Sequence, residues 1–152
     1  TMSVGQNLSL ASIASFTKGL FTSRKAEQAL IDDSIRKVTV KTAGDGAAIG
    51  SLSGGNQQKV VIGKMLATDP RVILLDEPSR GIDIGAKAEV FKLLAERARQ
   101  GLAVVYTTSE VSECLSIAHR IIVMHKGRIS AEFPATASKE QIMAAAGEAV
   151  AA

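Results

Sequence analysis

Aromatic residues are scarce: one Tyr, four Phe and no Trp in 152 residues, or 3%. A core made from this chain must rely on Val, Ile, Leu and Ala. There is one cysteine, Cys114, which excludes an internal disulfide and suits a reducing compartment. No apolar run approaches the roughly 20 residues a helix needs to cross a bilayer. The N-terminus carries no secretory pattern either, so a membrane role is expected to come through a partner. Dense Lys/Arg blocks interleaved with aromatics are also missing and the net charge is only +3, so nucleic-acid binding has little support. What remains is globular: 46% hydrophobic and 22% charged residues, in a length that suits one ordinary domain.

The pattern changes near residue 50. In "SVGQNLSLASIASF", Val4, Leu8 and Ile13 recur at helical spacing behind Ser3 as N-cap. In "SRKAEQALIDDSIRKV", Ala26, Leu30 and Val38 fall roughly on one side and charges on the other. "KTAGDGAAIGS" is a loop by its glycines. Residues 1–50 are therefore expected to form a small helical unit. From Leu52 onward helix and strand alternate. "GNQQKVVIGKMLATD" predicts a helix with Val61, Met65 and Leu66 as its apolar positions, ending before Pro70. "VILLD" and "LAVVYTT" read as buried parallel strands. Between them, "IGAKAEVFKLLAERARQG" predicts a helix with Val90, Leu93 and Leu94 on one face and Gly101 as its stop. "SEVSECLSIA" is a short helix, and "RIIVMHKGRISAEF" two strands joined through Lys126-Gly127. Ser138 and Gln141 are spaced as a capping box. This order predicts an α/β fold with a parallel sheet and crossover helices over residues 51–152.

Three strings carry chemistry. In "LSGGNQQ", residues 52–58, two glycines open a helix. A helix N-terminus presents unpaired N–H groups and partial positive charge. Glycines there admit a phosphate close to the backbone, and Ser53 can add a hydroxyl donor. In "VILLDEP", residues 72–78, Asp76 and Glu77 stand where a strand ends, the edge at which α/β folds place ligands. Asp76 suits Mg²⁺, directly or through water; Glu77 suits orientation or deprotonation of an attacking water. In "SRGID", residues 79–83, a tight turn leads to Asp83 as a helix cap.

In this order and spacing the strings resemble the ATPase subunit of ATP-binding-cassette (ABC) transporters. LSGGNQQ is similar to that family's signature motif, VILLDEP to its Walker B strand with the catalytic glutamate, and GID to its D-loop. The wider sequence most resembles the second cassette of bacterial sugar importers of the ribose, galactose and xylose type. The resemblance implies part of a P-loop NTPase (RecA-like) core with a small α-helical subdomain. It implies ATP and Mg²⁺ as cofactors, with Glu77 and Asp76 catalytic and Asp76 at the metal. It also implies nucleotide contacts at Ser53, Gly54, Gly55, Gln57, Asp83 and Ser109. The implied partners are the first cassette of the same full-length chain or a second copy, a membrane permease docked through the helical subdomain, and indirectly a periplasmic sugar-binding protein. The implied place is the cytoplasmic face of the bacterial inner membrane, and the sugar stays open.

Two departures shape the expectation. No G-x-x-x-x-G-K-[ST] string is present: around Gly63-Lys64, Gln58 stands where the first glycine should be and Met65 where the hydroxyl should be. The chain is therefore expected to be the C-terminal piece of a longer protein, to hydrolyse ATP negligibly alone, and to self-associate through an exposed sheet edge. Ser109 also occupies the position of the family's switch histidine; a serine hydroxyl is shorter and carries no charge near neutral pH. His119 and His125 read as structural. Because the family places ATP between one cassette's P-loop and the other's signature, Ser53, Gly54, Gly55 and Gln57 would complete a partner's site. Asp76 and Glu77 would face their own. Two other readings compete. One is a phospho-acceptor receiver domain using Asp32-Asp33, Asp76, Thr107 or Thr108, and Lys126. The other is a cassette ATPase outside transport.

Overall fold

The structure, a computed structural model, describes residues 2–147. Its contacts divide it into two units, Thr1–Tyr106 and Thr107–Ala152. The helical region expected over residues 1–50 lies wholly within the first.

The first unit begins with α1 (Val4–Ser9), whose Ser3 cap forms a capping box with Gln6. The chain then tightens into a 3₁₀ stretch, Leu10–Phe16, and a small antiparallel hairpin of β1 (Thr17–Lys18) and β2 (Phe21–Thr22). Helix α2 (Arg24–Val38) is capped by Ser23 and ends at a left-handed Thr39. A 3₁₀ turn, Ile49–Ser51, precedes α3 (Gly54–Leu66). Strand β3 (Val72–Asp76), α4 (Ile84–Arg99) and β4 (Ala103–Thr107) follow, with β3 and β4 paired.

Helices α1, α2 and α4 all pack on α3. Val4, Leu8, Val38, Val60, Ile62, Val90 and Leu94 are essentially excluded from water. Gly63 makes this possible: a Cβ there would stand 2.9 Å from Leu8 Cδ2 and 3.2 Å from Val38 Cγ2. Side chains from α1 and α2 fill the space that α3 leaves. The Phe91 and Tyr106 rings meet at 5.6 Å in a tilted pair, adding specificity to ordinary burial.

Several expected faces are corrected. Ile13 is 45% exposed, because α1 ends at Ser9 and the tighter 3₁₀ turn shifts the helical phase. On α2 the buried positions are Ile31, Ser34 and Val38, while Ala26 is exposed and Leu30 half-buried. On α3 they are Gly55, Lys59, Val60, Ile62 and Gly63, while Val61 and Met65 are 46% and 43% exposed. The strands are not buried on both faces: Leu74 and Val105 are 75% and 56% exposed. Among the described residues the strands form three two-stranded sheets rather than one continuous sheet. Asp32 and Asp33 lie within α2, not at a strand end, so the acid pair a receiver domain needs is not formed.

The second unit contains α5 (Val111–Ile117), β5 (Arg120–His125), β6 (Arg128–Pro134) and α6 (Lys139–Ala145). β5 and β6 pair antiparallel through Lys126-Gly127, both at positive φ, as tight hairpin turns require. Ile121, Val123 and Ile142 form its core with Val111, Leu115 and Phe133 packed around them. Ser138 and Gln141 make the capping box their spacing predicts. His125 Nδ1 bonds the Ala146 carbonyl oxygen at 2.8 Å, a structural tie. Burial raises the pKa of the Cys114 thiol, which makes it less nucleophilic.

Candidate functional site

The glycine turn sits where the chain enters α3. Ser53 has extended backbone angles and occupies the N-cap position, yet its hydroxyl caps none of the helix amides. Instead Ser53 Oγ accepts a hydrogen bond from Asn56 Nδ2 at 3.0 Å, and Asn56 Oδ1 accepts from the Lys41 amide at 2.9 Å. A loop residue thus fixes the Asn56 side chain, which in turn holds the serine. The first amides of α3 carry no side-chain cap, the condition under which a helix N-terminus can receive an anion. Ser53 and Gly54 are exposed. Gln57 folds back, its Nε2 donating to the Leu52 carbonyl at 2.9 Å, which braces the turn from below.

The two glycines serve different needs. A Cβ on Gly54 would meet Ile82 Cγ2 at 3.4 Å, ordinary contact. A Cβ on Gly55 would stand 2.3 Å from Ala86 Cβ, which is impossible without movement. Gly55 is therefore required where the N-terminal ends of α3 and α4 touch. The contact brings together two of the strings, the signature-like turn and the Gly81–Asp83 turn. Asp83 caps α4 as expected, its Oδ1 accepting from the Ala86 amide at 2.9 Å.

Asp76 is the last residue of β3 and is exposed. Glu77 follows at φ +46°, a left-handed conformation that costs a non-glycine residue about 1 kcal/mol or more. Pro78 and Ser79 are fully buried behind it, and the Arg80 amide donates to the Glu77 carbonyl at 3.1 Å. The buried pair and the turn hold the strained residue in place. Such strain collects where a side chain must be aimed.

Ser109 belongs to the second unit. It is exposed, in a loop where the Glu110 amide donates to Thr108 Oγ1 and Thr108 Oγ1 donates to Glu113 Oε2 at 2.5 Å.

One contributor escaped the sequence reading. Lys59, one and a half turns into α3, is only 4% exposed. Its ammonium donates to Glu89 Oε2 at 2.6 Å and to the Thr39 carbonyl at 3.2 Å. One cation thus binds α3 to α4 and to the C-terminal end of α2, where the helix dipole favours positive charge. The Lys59 hydrogen bond and charge lower the pKa of Glu89. The only sequence signal was a lysine within the run "KVVIGKML".

The family profile described as "ABC transporter" matches residues 1–80. The xylose import ATP-binding protein XylG of Escherichia coli strain K12 is 45% identical over 147 residues, covering 95% of this chain and 29% of that protein. A ribose/galactose/methyl galactoside import ATP-binding protein of Rhizobium etli is 43% identical over 142 residues, covering 93% of this chain and 27% of its own length. The chain thus spans under a third of the curated relatives it matches. In fold it is similar to cbiO1 of Clostridium perfringens, part of the transporter complex cbiONQ (TM-score 0.75, 21% identity, 95% of this chain and 54% of that one). It is also similar to a dimeric ATP-binding cassette in a post-hydrolysis state bound to ADP and phosphate (TM-score 0.74, 22% identity, 90% and 58%).

Proposed function

The chain belongs to the ABC transporter family, and from that premise we propose that it is part of the ATP-binding subunit of a carbohydrate importer. Its role there is to present the turn at Ser53, Gly54 and Gly55 to a nucleotide held by another cassette. The observation that carries this is the open start of α3: exposed backbone at Ser53 and Gly54, amides without a side-chain cap, and a serine hydroxyl held beside them by Asn56. The terminal phosphate of ATP fits such a site, since fixed N–H dipoles meet its charge. Gln57 supports the turn through Leu52, and Asp83 shapes the neighbouring one.

The second role concerns this cassette's own nucleotide. Asp76 supplies one exposed carboxylate at a strand end. Among the described residues no group of three or more His, Cys, Asp or Glu could hold a metal alone. The single Asp76 carboxylate suits Mg²⁺, which commonly takes one or two carboxylates and completes its shell with phosphate oxygens and water; bound there, it would neutralise phosphate charge. Glu77, aimed by its strained backbone, would orient or deprotonate the attacking water. Ser109, in the switch-histidine position, cannot supply a charged imidazole, so this second site is the weaker. The 152 residues contain no phosphate-cradling P-loop string, so this chain alone has negligible turnover.

Domain roles follow the same reading. Residues 1–50 act as the helical subdomain that meets a permease, and residues 51–152 belong to the ATPase core. The working assembly would sit on the cytoplasmic face of the bacterial inner membrane, fed by a periplasmic sugar-binding protein. No described helix is long and apolar enough to cross the bilayer; on this reading attachment runs through the permease. The test is Ser53→Ala and Glu77→Gln, made separately in the full-length protein with its permease. Loss of turnover with Ser53→Ala and retention of most of it with Glu77→Gln supports the assignment. The reverse pattern refutes it.

A further inference from the structure

The β1–β2 hairpin carries a feature that the nucleotide reading does not use. Leu20 is 96% exposed and Phe21 81% exposed. Phe16 and Phe91, by contrast, are buried and Phe133 is half-buried. The tip is held in a defined shape. Thr17 pairs with Thr22 and Lys18 with Phe21, Gly19 turns at φ +60°, and the Ser23 amide closes the base on the Phe16 carbonyl at 2.8 Å. Nothing lies within 4 Å of the Cβ position at Gly19, so the turn stands clear of the rest of the fold.

Charge around the tip has one sign. Residues 1–26 contain no Asp or Glu, and all their charge comes from Lys18, Arg24 and Lys25. All three are exposed, and none forms an ion pair among the described residues. Arg24 and Lys25 occupy the first turn of α2, where the helix dipole disfavours cations. The nearest acid in sequence, Glu27, accepts from Ser9 Oγ at 3.0 Å. Two apolar side chains at a tip, with Lys18 in the hairpin and Arg24 and Lys25 set against the dipole of the helix that follows it, match the surface of an anionic bilayer: the chains enter the headgroup layer and the cations meet lipid phosphates.

We propose that this hairpin is a lipid-contact element, with Leu20 and Phe21 inserting among anionic headgroups and Lys18, Arg24 and Lys25 pairing with their phosphates. Two side chains anchor weakly, so the contact supplements attachment to an integral partner and adds to it through proximity. It does not depend on which nucleotide site is active.

Because the chain has no Trp, Phe21→Trp introduces a single reporter at the tip. The variant chain is titrated with vesicles of phosphatidylcholine alone and with vesicles containing phosphatidylglycerol, at low and high salt. Expected is a blue shift of the indole emission on the phosphatidylglycerol vesicles only, weakening with salt. Arg24→Gln or Lys25→Gln should each reduce the vesicle partition of the chain about five-fold. In parallel, the unsubstituted chain should co-sediment with phosphatidylglycerol vesicles, and Leu20→Ser with Phe21→Ser should cut that about ten-fold or more. Failure of the unsubstituted chain to sediment overturns the proposal. So does sedimentation that the Leu20 and Phe21 replacements leave unchanged. A blue shift that appears only when the permease is reconstituted in the vesicles overturns it in favour of a protein surface.

Discussion

Replacing Gly55 with Ala separates a glycine kept for a ligand from one kept for the fold. The added Cβ would lie 2.3 Å from Ala86 Cβ and 3.5 Å from its Cα. Apolar carbons rest about 3.5–4.0 Å apart, so the ends of α3 and α4 must part by more than ~1 Å. Overpacking of this kind costs about 1–3 kcal/mol. Helix propensity returns at most ~1 kcal/mol, and little of that in a first turn. A net loss of roughly 1–2 kcal/mol should lower the melting temperature by roughly 2–8 °C for a chain of this size. Ala86→Gly removes the opposing methyl, so the double variant should recover most of the loss. That is a favourable coupling of about 1 kcal/mol or more between touching residues. Thermal unfolding followed by circular dichroism reads all four corners of the cycle. ATP turnover of the full-length protein then adds a second axis. Recovered stability without recovered turnover means the backbone at residue 55 is also needed against phosphate. A Gly55→Ala chain that melts with the parent, or an Ala86→Gly partner that rescues nothing, refutes the packing argument.

The remaining expectations rest on other contacts. Glu89→Gln should lower the melting temperature more than Lys59→Met, because it strands a buried ammonium, whereas the methionine fills the space and leaves a half-exposed carboxylate to water. The acid limb of the stability curve should also change. Glu89 titrates lower when folded, so its contribution is complete above the unfolded carboxylate value and disappears as pH falls through the folded one. Glu89→Gln should flatten that limb in chemical unfolding measured across pH. Leu8→Ala should cost about 3 kcal/mol in urea unfolding, since Leu8 is fully buried against Gly63. Leu74→Lys with Val105→Lys should shift sedimentation velocity toward monomer, because both apolar side chains are exposed on paired strands; an unchanged distribution would remove these strands from any self-association.

Local rules were legible wherever a few neighbouring residues decide the outcome. Ser3 and Asp83 cap their helices and Ser138 with Gln141 forms its capping box, because a cap involves one side chain and the next turn. Lys126-Gly127 turns as expected for the same reason. Helix faces were less legible. "KVVIGKML" has apolar residues on nearly every side, so periodicity alone does not say which side is inward. The choice is made by three helices packing on α3 and by the missing side chain of Gly63, into which Leu8 and Val38 fit. The burial of Lys59 is hidden likewise, since its partners lie 20 and 30 residues away. For Gly55 the sequence pointed to a phosphate, while the second requirement, the Ala86 methyl, is visible only when α4 is in place.

The helix proposed to offer its amides is also the one on which α1, α2 and α4 all pack. At its N-terminal end Gly55 lets α4 touch it; toward its C-terminal end Gly63 admits α1 and α2; between them Lys59 joins α4 to the end of α2. A side chain added at either glycine, or a cation removed between them, would disturb the packing behind the exposed backbone of Ser53 and Gly54. Interiors this closely packed transmit displacement rather than absorb it. On the proposed role, a phosphate drawing on the first turn of α3 would draw on α1, α2 and α4 together, and a force on α1 or α2 would act back on that turn. The same three contacts thus explain why so exposed a turn can hold one orientation and how its state could be felt elsewhere in the unit.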